Sequence, residues 1–192
     1  MESPRKAKIG IFAAGLSLAA CATPQHQRLP LDEFEAVLDA NVSATEALTQ
    51  WCKAHNMGNP PVIRAVPVRG AAGALPTDLH ALLQVPDGSP IGYRHVRLVC
   101  GDVVLSEAHN WFVPARLSPE MNAVLDRTDT PFGKAVAALD FTRRKLAGAR
   151  GGGQGCPADT ILMQRALLAL PDGTPISLVQ ECYTSANLTP GW

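Results

Sequence analysis

The chain predicts an α+β protein built on an antiparallel sheet, and three observations carry that expectation. Tyr93 to Cys100 and Val103 to Val113 are rich in β-branched and aromatic residues and are separated by the turn signal Gly101-Asp102, which makes a hairpin. Ile161 to Ala169 and Pro175 to Thr184 flank Pro171-Asp172-Gly173 and make a second hairpin. Ahead of both, apolar residues from Leu31 to His55 recur at spacings of three, four or seven, the period of a helix. Helices followed by hairpins, with further helices inserted, is an α+β order.

The first helical stretch rests on Phe34, Val37, Leu38, Ala44, Leu48, Trp51 and Cys52, and it breaks near Asn41 to Ser43, where Asn41 or Ser43 caps the second piece. Trp51 beside Cys52 reads as core. Val62 to Val68 follows a Pro-Pro pair, is valine-rich and predicts a strand. A small-residue loop, 71–76, leads to a short helix from Thr77 to Gln84, capped by Thr77 or Asp78. Between the hairpins, Ser118 at the cap, Pro119 in the first helical position and Glu120 in the first turn predict a helix to Arg127. Thr130-Pro131-Phe132-Gly133 turns into a further helix or strand over about 134–146. Gly148 to Gly155 holds five glycines in eight residues and reads as a mobile surface loop; no Lys-Ser/Thr follows to make a phosphate cradle.

The N-terminus carries a different message. Arg5, Lys6 and Lys8 precede a 12-residue apolar run, Ile9 to Ala20, which spans about 18 Å as a helix against the roughly 30 Å of a hydrocarbon core. That length indicates a processed signal rather than a membrane helix. The run ends in Leu18-Ala19-Ala20-Cys21, which resembles the lipobox of bacterial lipoproteins, so Cys21 is expected to be acylated and to become the first residue after cleavage. Ala22, not Asp, follows the cysteine, which in similar lipoproteins implies outer-membrane sorting with the domain facing the periplasm. Residues 1–20 are then a signal peptide, 21–30 a lipidated tether with two prolines, and 31–192 one domain.

Loss of residues 1–20 removes three of 17 basic and one of 17 acidic side chains, leaving 172 residues and a net charge of −2. No dense Lys/Arg cluster remains, so nucleic acid is not an expected partner. Cys52, Cys100, Cys156 and Cys182 are an even set in an exported chain and predict two disulfides. Of three pairings, Cys52–Cys100 and Cys156–Cys182 are favoured because the second brackets the terminal hairpin; the chain-entropy effect is roughly 3.5–4 kcal/mol each as an upper bound. No CxxC or Cys/His cluster marks a zinc site, and Ser106 and Ser177 lie in strands without a nucleophile elbow.

Taken in order, Val42-Ser43-Ala44-Thr45, Tyr93 to Cys100 with its continuation to Val113-Pro114, Thr130-Pro131-Phe132-Gly133, Thr142-Arg143, and Pro175 to Thr184 with Glu181 resemble the chorismate pyruvate-lyase family over about 31–188. The resemblance implies a six-stranded antiparallel sheet with helices covering one face, and a closed pocket for a small aromatic or carboxylated ligand. It also implies cofactor-independent carbon–oxygen lyase chemistry that releases 4-hydroxybenzoate and pyruvate. The same fold serves as the ligand-sensing half of some transcription regulators, so fold does not decide activity.

Carried over residue by residue, the resemblance implies that Glu181 and a strand arginine form the catalytic pair and that Ala44 and Phe132 line the pocket. A gapless register from Cys100 puts His95 at the arginine's place, with Arg94 and Arg97 beside it. Arg94 shares a face with Val96, Leu98 and Cys100, the more apolar side of the strand, and is preferred over Arg97, which sides with Tyr93, His95 and Val99. The family's second arginine is replaced by Asn110, which cannot supply its charge. Cleavage is therefore expected to be weak or absent, and an exported lyase would meet little chorismate, which is made in the cytoplasm. The competing expectation is a non-catalytic envelope interaction lipoprotein with a collapsed pocket. A binding pocket should enclose roughly 300 Å³ or more, with Glu181 and an arginine pointing in. Glu107, His109 and Trp111 alternate on one strand face, which reads as a solvated face with one aromatic, and His109 is a candidate for the missing cation at low pH. His26, His55 and His80 are assigned no role.

Overall fold

The computed structural model describes residues 30–70 and 75–189. The expected signal peptide, Cys21 and the expected tether up to residue 29, with His26, lie outside the described residues, among which no helix is long and apolar enough to cross a membrane.

The helical period of the first segment becomes two helices, α1 (Leu31–Ala40) and α2 (Ala44–Ala54), broken where the spacing slips. Ser43 caps α2, its Oγ accepting from the Glu46 amide at 3.1 Å. Phe34 and Leu38 from α1 and Leu48, Trp51 and Cys52 from α2 pack onto the sheet. Trp51 is core, as expected, and its indole N–H donates to the Asn187 carbonyl at 3.0 Å. The six strands are β1 (Ile63–Pro67), β2 (Gly92–Cys100), β3 (Val103–Phe112), β4 (Thr142–Arg150), β5 (Thr160–Ala169) and β6 (Pro175–Thr184). They form one antiparallel sheet in the order β1-β2-β3-β6-β5-β4, so the two hairpins meet at β3 and β6 in the middle. Both expected hairpins are present.

The remaining helices are α3 (Leu79–Leu83), α4 (Pro119–Arg127) and α5 (Phe132–Ala135). Ser118 caps α4 and Pro119 opens it, as the sequence indicates, with the Met121 amide 3.2 Å from Ser118 Oγ. The stretch read as one helix or strand over 134–146 is three pieces: α5, a 3₁₀ turn at Ala137–Leu139, and then β4. Asp140, in the left-handed conformation, ends the turn and lets the chain enter the sheet.

The glycine-rich stretch is only partly loop. Gly148, Ala149 and Arg150 pair with Gln164, Met163 and Leu162, because the ladder on β5 continues past the first glycine. The rest is tied down by the Cys156–Cys182 disulfide and by Gln180 Nε2 donating to the Gln154 carbonyl at 2.9 Å. The other disulfide, Cys52–Cys100, staples α2 to β2. Both pairings are those the sequence favours.

One face of the sheet carries α1, α2, α4 and α5 over two apolar cores, centred on Phe34–Trp51–Tyr183 and on Phe112–Phe132–Phe141. The other face is not bare. Leu79 and Leu83 of α3 cover Trp111, Leu167 and Leu178 there, which corrects the expectation of a solvated Glu107–His109–Trp111 face: His109 and Trp111 are buried.

Candidate functional site

Between the sheet and the starts of α2 and α5 lies a cavity of about 40 Å³. Its floor is written by register. Arg94 of β2 stands opposite Asn110 of β3, which stands opposite Val179 of β6; one pair along, Val96, Ala108 and Glu181 repeat the alignment. Arg143 enters from the outer strand β4, where it faces Leu168. The roof is Ser43, Ala44 and Thr45 from α2 with Phe132 and Gly133 from α5. Glycine at 133 permits this closure, since a Cβ there would sit 2.9 Å from the Ser43 Cβ.

Glu181 and Arg143 form a buried ion pair: Arg143 Nη2 donates to Glu181 Oε2 at 2.8 Å, with side chains only 6% and 7% exposed. The same Oε2 accepts from the Tyr183 hydroxyl at 2.9 Å, and Arg143 Nη2 also donates to Gln164 Oε1 at 2.9 Å. Burial works against the Arg143 cation, but the neighbouring Glu181 carboxylate holds its pKa above the ordinary value. Burial, reinforced by the Glu181 charge, pushes the Tyr183 hydroxyl well up, so it is a fixed donor. Glu181 thus both lines the cavity and belongs to an ion pair.

Arg94 is different. Its guanidinium donates to main-chain carbonyls, Thr130 O at 3.0 Å and Thr128 O at 3.3 Å, and is hydrogen-bonded to no carboxylate among the described residues. Burial pushes its pKa below the ordinary value. Asn110 accepts from the Ser177 hydroxyl at 2.8 Å through Oδ1. Among the described residues, the three ionic side chains around the cavity therefore sum to one positive charge, carried by Arg94.

Of the residues expected at the site, Arg94, Asn110, Ala44, Phe132 and Glu181 surround this cavity. His95 and Arg97 do not line it. The period of two that turns Arg94 inward turns them to the opposite face, where His95 Nε2 lies 2.8 Å from Glu107 Oε1 and Arg97 Nε donates to Glu107 Oε2 at 3.0 Å. His109 lies on that face too, stacked on His95 at 4.1 Å, with Tyr93 Oη 2.8 Å from its Nδ1. Burial first, then the His95 charge, lowers its pKa, so it does not replace a cation in the cavity. Arg143 is the residue sequence reasoning left without a role. Its signal was present: Thr142-Arg143 is among the family-like segments, and a glutamate inside an apolar strand demands a partner. Yet Arg143, Arg144 and Lys145 are consecutive, and only the register on β5 selects the first.

The cavity is also far smaller than the roughly 300 Å³ expected of a ligand pocket. The roof packs directly onto the sheet: Phe132 meets Phe112 of β3 with ring centroids 5.6 Å apart.

No family profile matches the chain. Among solved structures, PhnF from Mycobacterium smegmatis superposes with a TM-score of 0.53 at 16% identity, covering 77% of this chain and 65% of PhnF, so the chain spans about two-thirds of that protein. The effector domain of PhnF gives 0.51 at 16% identity over 74% of this chain and 88% of the domain. At such identities the likeness is one of fold, and the fold is the six-stranded α+β sheet that the chorismate lyase resemblance implies. In sequence, the uncharacterized protein y4mC of Sinorhizobium fredii (strain NBRC 101917 / NGR234) is 42% identical over 175 residues, 81% of this chain and 73% of that protein. With that identity over that span, the chain belongs to the family of y4mC.

Proposed function

We propose that the protein is an exported, lipid-anchored binding protein whose domain holds a small carboxylated ligand against Arg94 and cleaves chorismate slowly or not at all. The observation that carries this reading is an arginine with no carboxylate partner among the described residues: a half-buried cation beside a cavity, bonded to neutral carbonyls while the other arginine is paired. A carboxylate would offset the cost of burying that charge. The fold likeness to the PhnF effector domain agrees with a binding role. Asn110 in place of the family's second arginine argues against lyase turnover, because cleavage of a dianionic substrate needs a cation for each carboxylate.

Calorimetric titration of the purified protein with aliphatic and aromatic carboxylates tests the reading. At least one acid should bind, and Arg94→Ala should remove about 1.5–3 kcal/mol of that binding. Equal affinity in the variant would sink it, and rapid release of 4-hydroxybenzoate from chorismate would restore the lyase. The small cavity favours one other reading, an envelope interaction lipoprotein with a collapsed pocket. Binding by no acid would move the conclusion there.

Anchoring at Cys21 is tested separately. Cys21→Ser should leave a precursor that is neither cleaved nor labelled by a fatty acid, and a variant that fractionates with membranes like the parent refutes the anchor.

A further inference from the structure

We propose that the cavity is built for a short aliphatic hydroxycarboxylate, of the glycolate or lactate class, and not for an aromatic acid. The inference rests on the reading that the cavity binds a carboxylate, and it follows from counting what each wall offers. Asn110, which lines the cavity, is oriented by Ser177, whose hydroxyl donates to Oδ1; Nδ2 has no hydrogen-bond partner among the described residues. Arg143 is 6% exposed and its Nε is buried without a partner, although its Nη2 is committed to Glu181 and Gln164. Arg94 adds a third donor group and the net charge. On the acceptor side, Glu181 Oε2 is taken twice, by Arg143 and Tyr183, whereas Oε1 has no hydrogen-bond partner among the described residues. The hydroxyls of Ser43 and Thr45 in the roof serve either way.

The complement of these walls is a monoanion with several oxygen acceptors and one hydroxyl donor directed at Glu181 Oε1. A second carboxylate would find no second free cation among the described residues lining the cavity, because Arg143 is already neutralised by Glu181. An amine would face Arg94. The volume then selects among hydroxy acids: the cavity is about 40 Å³, against the about 150 Å³ of a cavity that takes up a benzene ring. Arg94 is also part of the wall of a second cleft, about 370 Å³, against α4, so the wall that must yield for a two- or three-carbon acid is the one that carries the binding charge. A ring would require displacement of the Phe132 roof as well.

Calorimetry on the full-length protein at neutral pH with acetate, glycolate, lactate and 4-hydroxybenzoate separates the possibilities without any variant. Glycolate or lactate should bind about tenfold or more tightly than acetate, the effect of one hydrogen bond to a charged acceptor, and both should exceed 4-hydroxybenzoate. Glycolate and lactate no tighter than acetate would overturn the assignment of Glu181 Oε1 to a hydroxyl. Tighter binding of 4-hydroxybenzoate would overturn the size selection and leave carboxylate binding standing. If none of the four acids binds, this inference fails; an Arg94-dependent response to other carboxylates then decides whether the broader reading fails with it.

Discussion

A glutamate inside an apolar strand stays charged only if something nearby compensates, and here Arg143 does so across the sheet from Glu181. The pair is 38 residues apart in sequence, so its cost and benefit appear only in the folded state. Glu181→Gln should leave an uncompensated guanidinium in the core and lower unfolding free energy by about 3–5 kcal/mol. The double change Arg143→Met with Glu181→Leu should recover most of that loss, since it removes both charges at similar volume. Urea unfolding of the two variants measures the coupling, and a single variant as stable as the parent would show that the ion pair is not held in solution. Arg143 could not be chosen from its neighbours beforehand, because facing direction on β4 depends on pairing with β5 and on the bulge between Lys145 and Ala147.

At the scale of elements, the site depends on how closely α2 and α5 approach. Both begin at the cavity roof, and Gly133 lies where any side chain would meet Ser43. Gly133→Ala should therefore force the two helix starts apart and destabilise the fold by about 1–3 kcal/mol, read from the denaturation midpoint at constant m-value. Because Ser43 both caps α2 and lines the cavity, weakened carboxylate binding should accompany that loss; an unchanged midpoint would mean that the helices are not in contact as described. The elements themselves were legible in advance. Period-two runs and the turns Gly101-Asp102 and Pro171-Asp172-Gly173 mark the hairpins, and Ser43 and Ser118 mark two helix starts, since these signals act within a few residues. The segment 134–146 was illegible because a four-residue helix, a single 3₁₀ turn and the start of a strand have no common period.

For the whole molecule, two disulfides tie the helical layer and the glycine-rich loop to the sheet, Cys52 to Cys100 and Cys156 to Cys182. On the outer strand, Lys145 reaches Asp39 of α1 at 3.1 Å and Arg150 pairs with Asp32 and Glu35, but these exposed contacts are worth little next to a covalent link. Replacing Cys156 and Cys182 together by alanine should cost about 2–4 kcal/mol and free the glycine-rich loop for proteolysis. Limited proteolysis and urea unfolding of that variant check it, and equal stability with an uncut loop would refute the role assigned to the disulfide.

What the sequence determined by itself is what local patterning can encode: the α+β class, the two hairpins, the favoured cysteine pairing, and the inward turn of Arg94, which follows from strand alternation and the apolar side of β2. Tertiary structure alone decided the rest. Whether Arg143 reaches Glu181, how little space the roof leaves above them, and that α3 covers Trp111 all depend on strands and helices far apart in the chain being brought into one register. Volume and charge balance in a cavity are sums over such distant contributors, so no short stretch of sequence carries them.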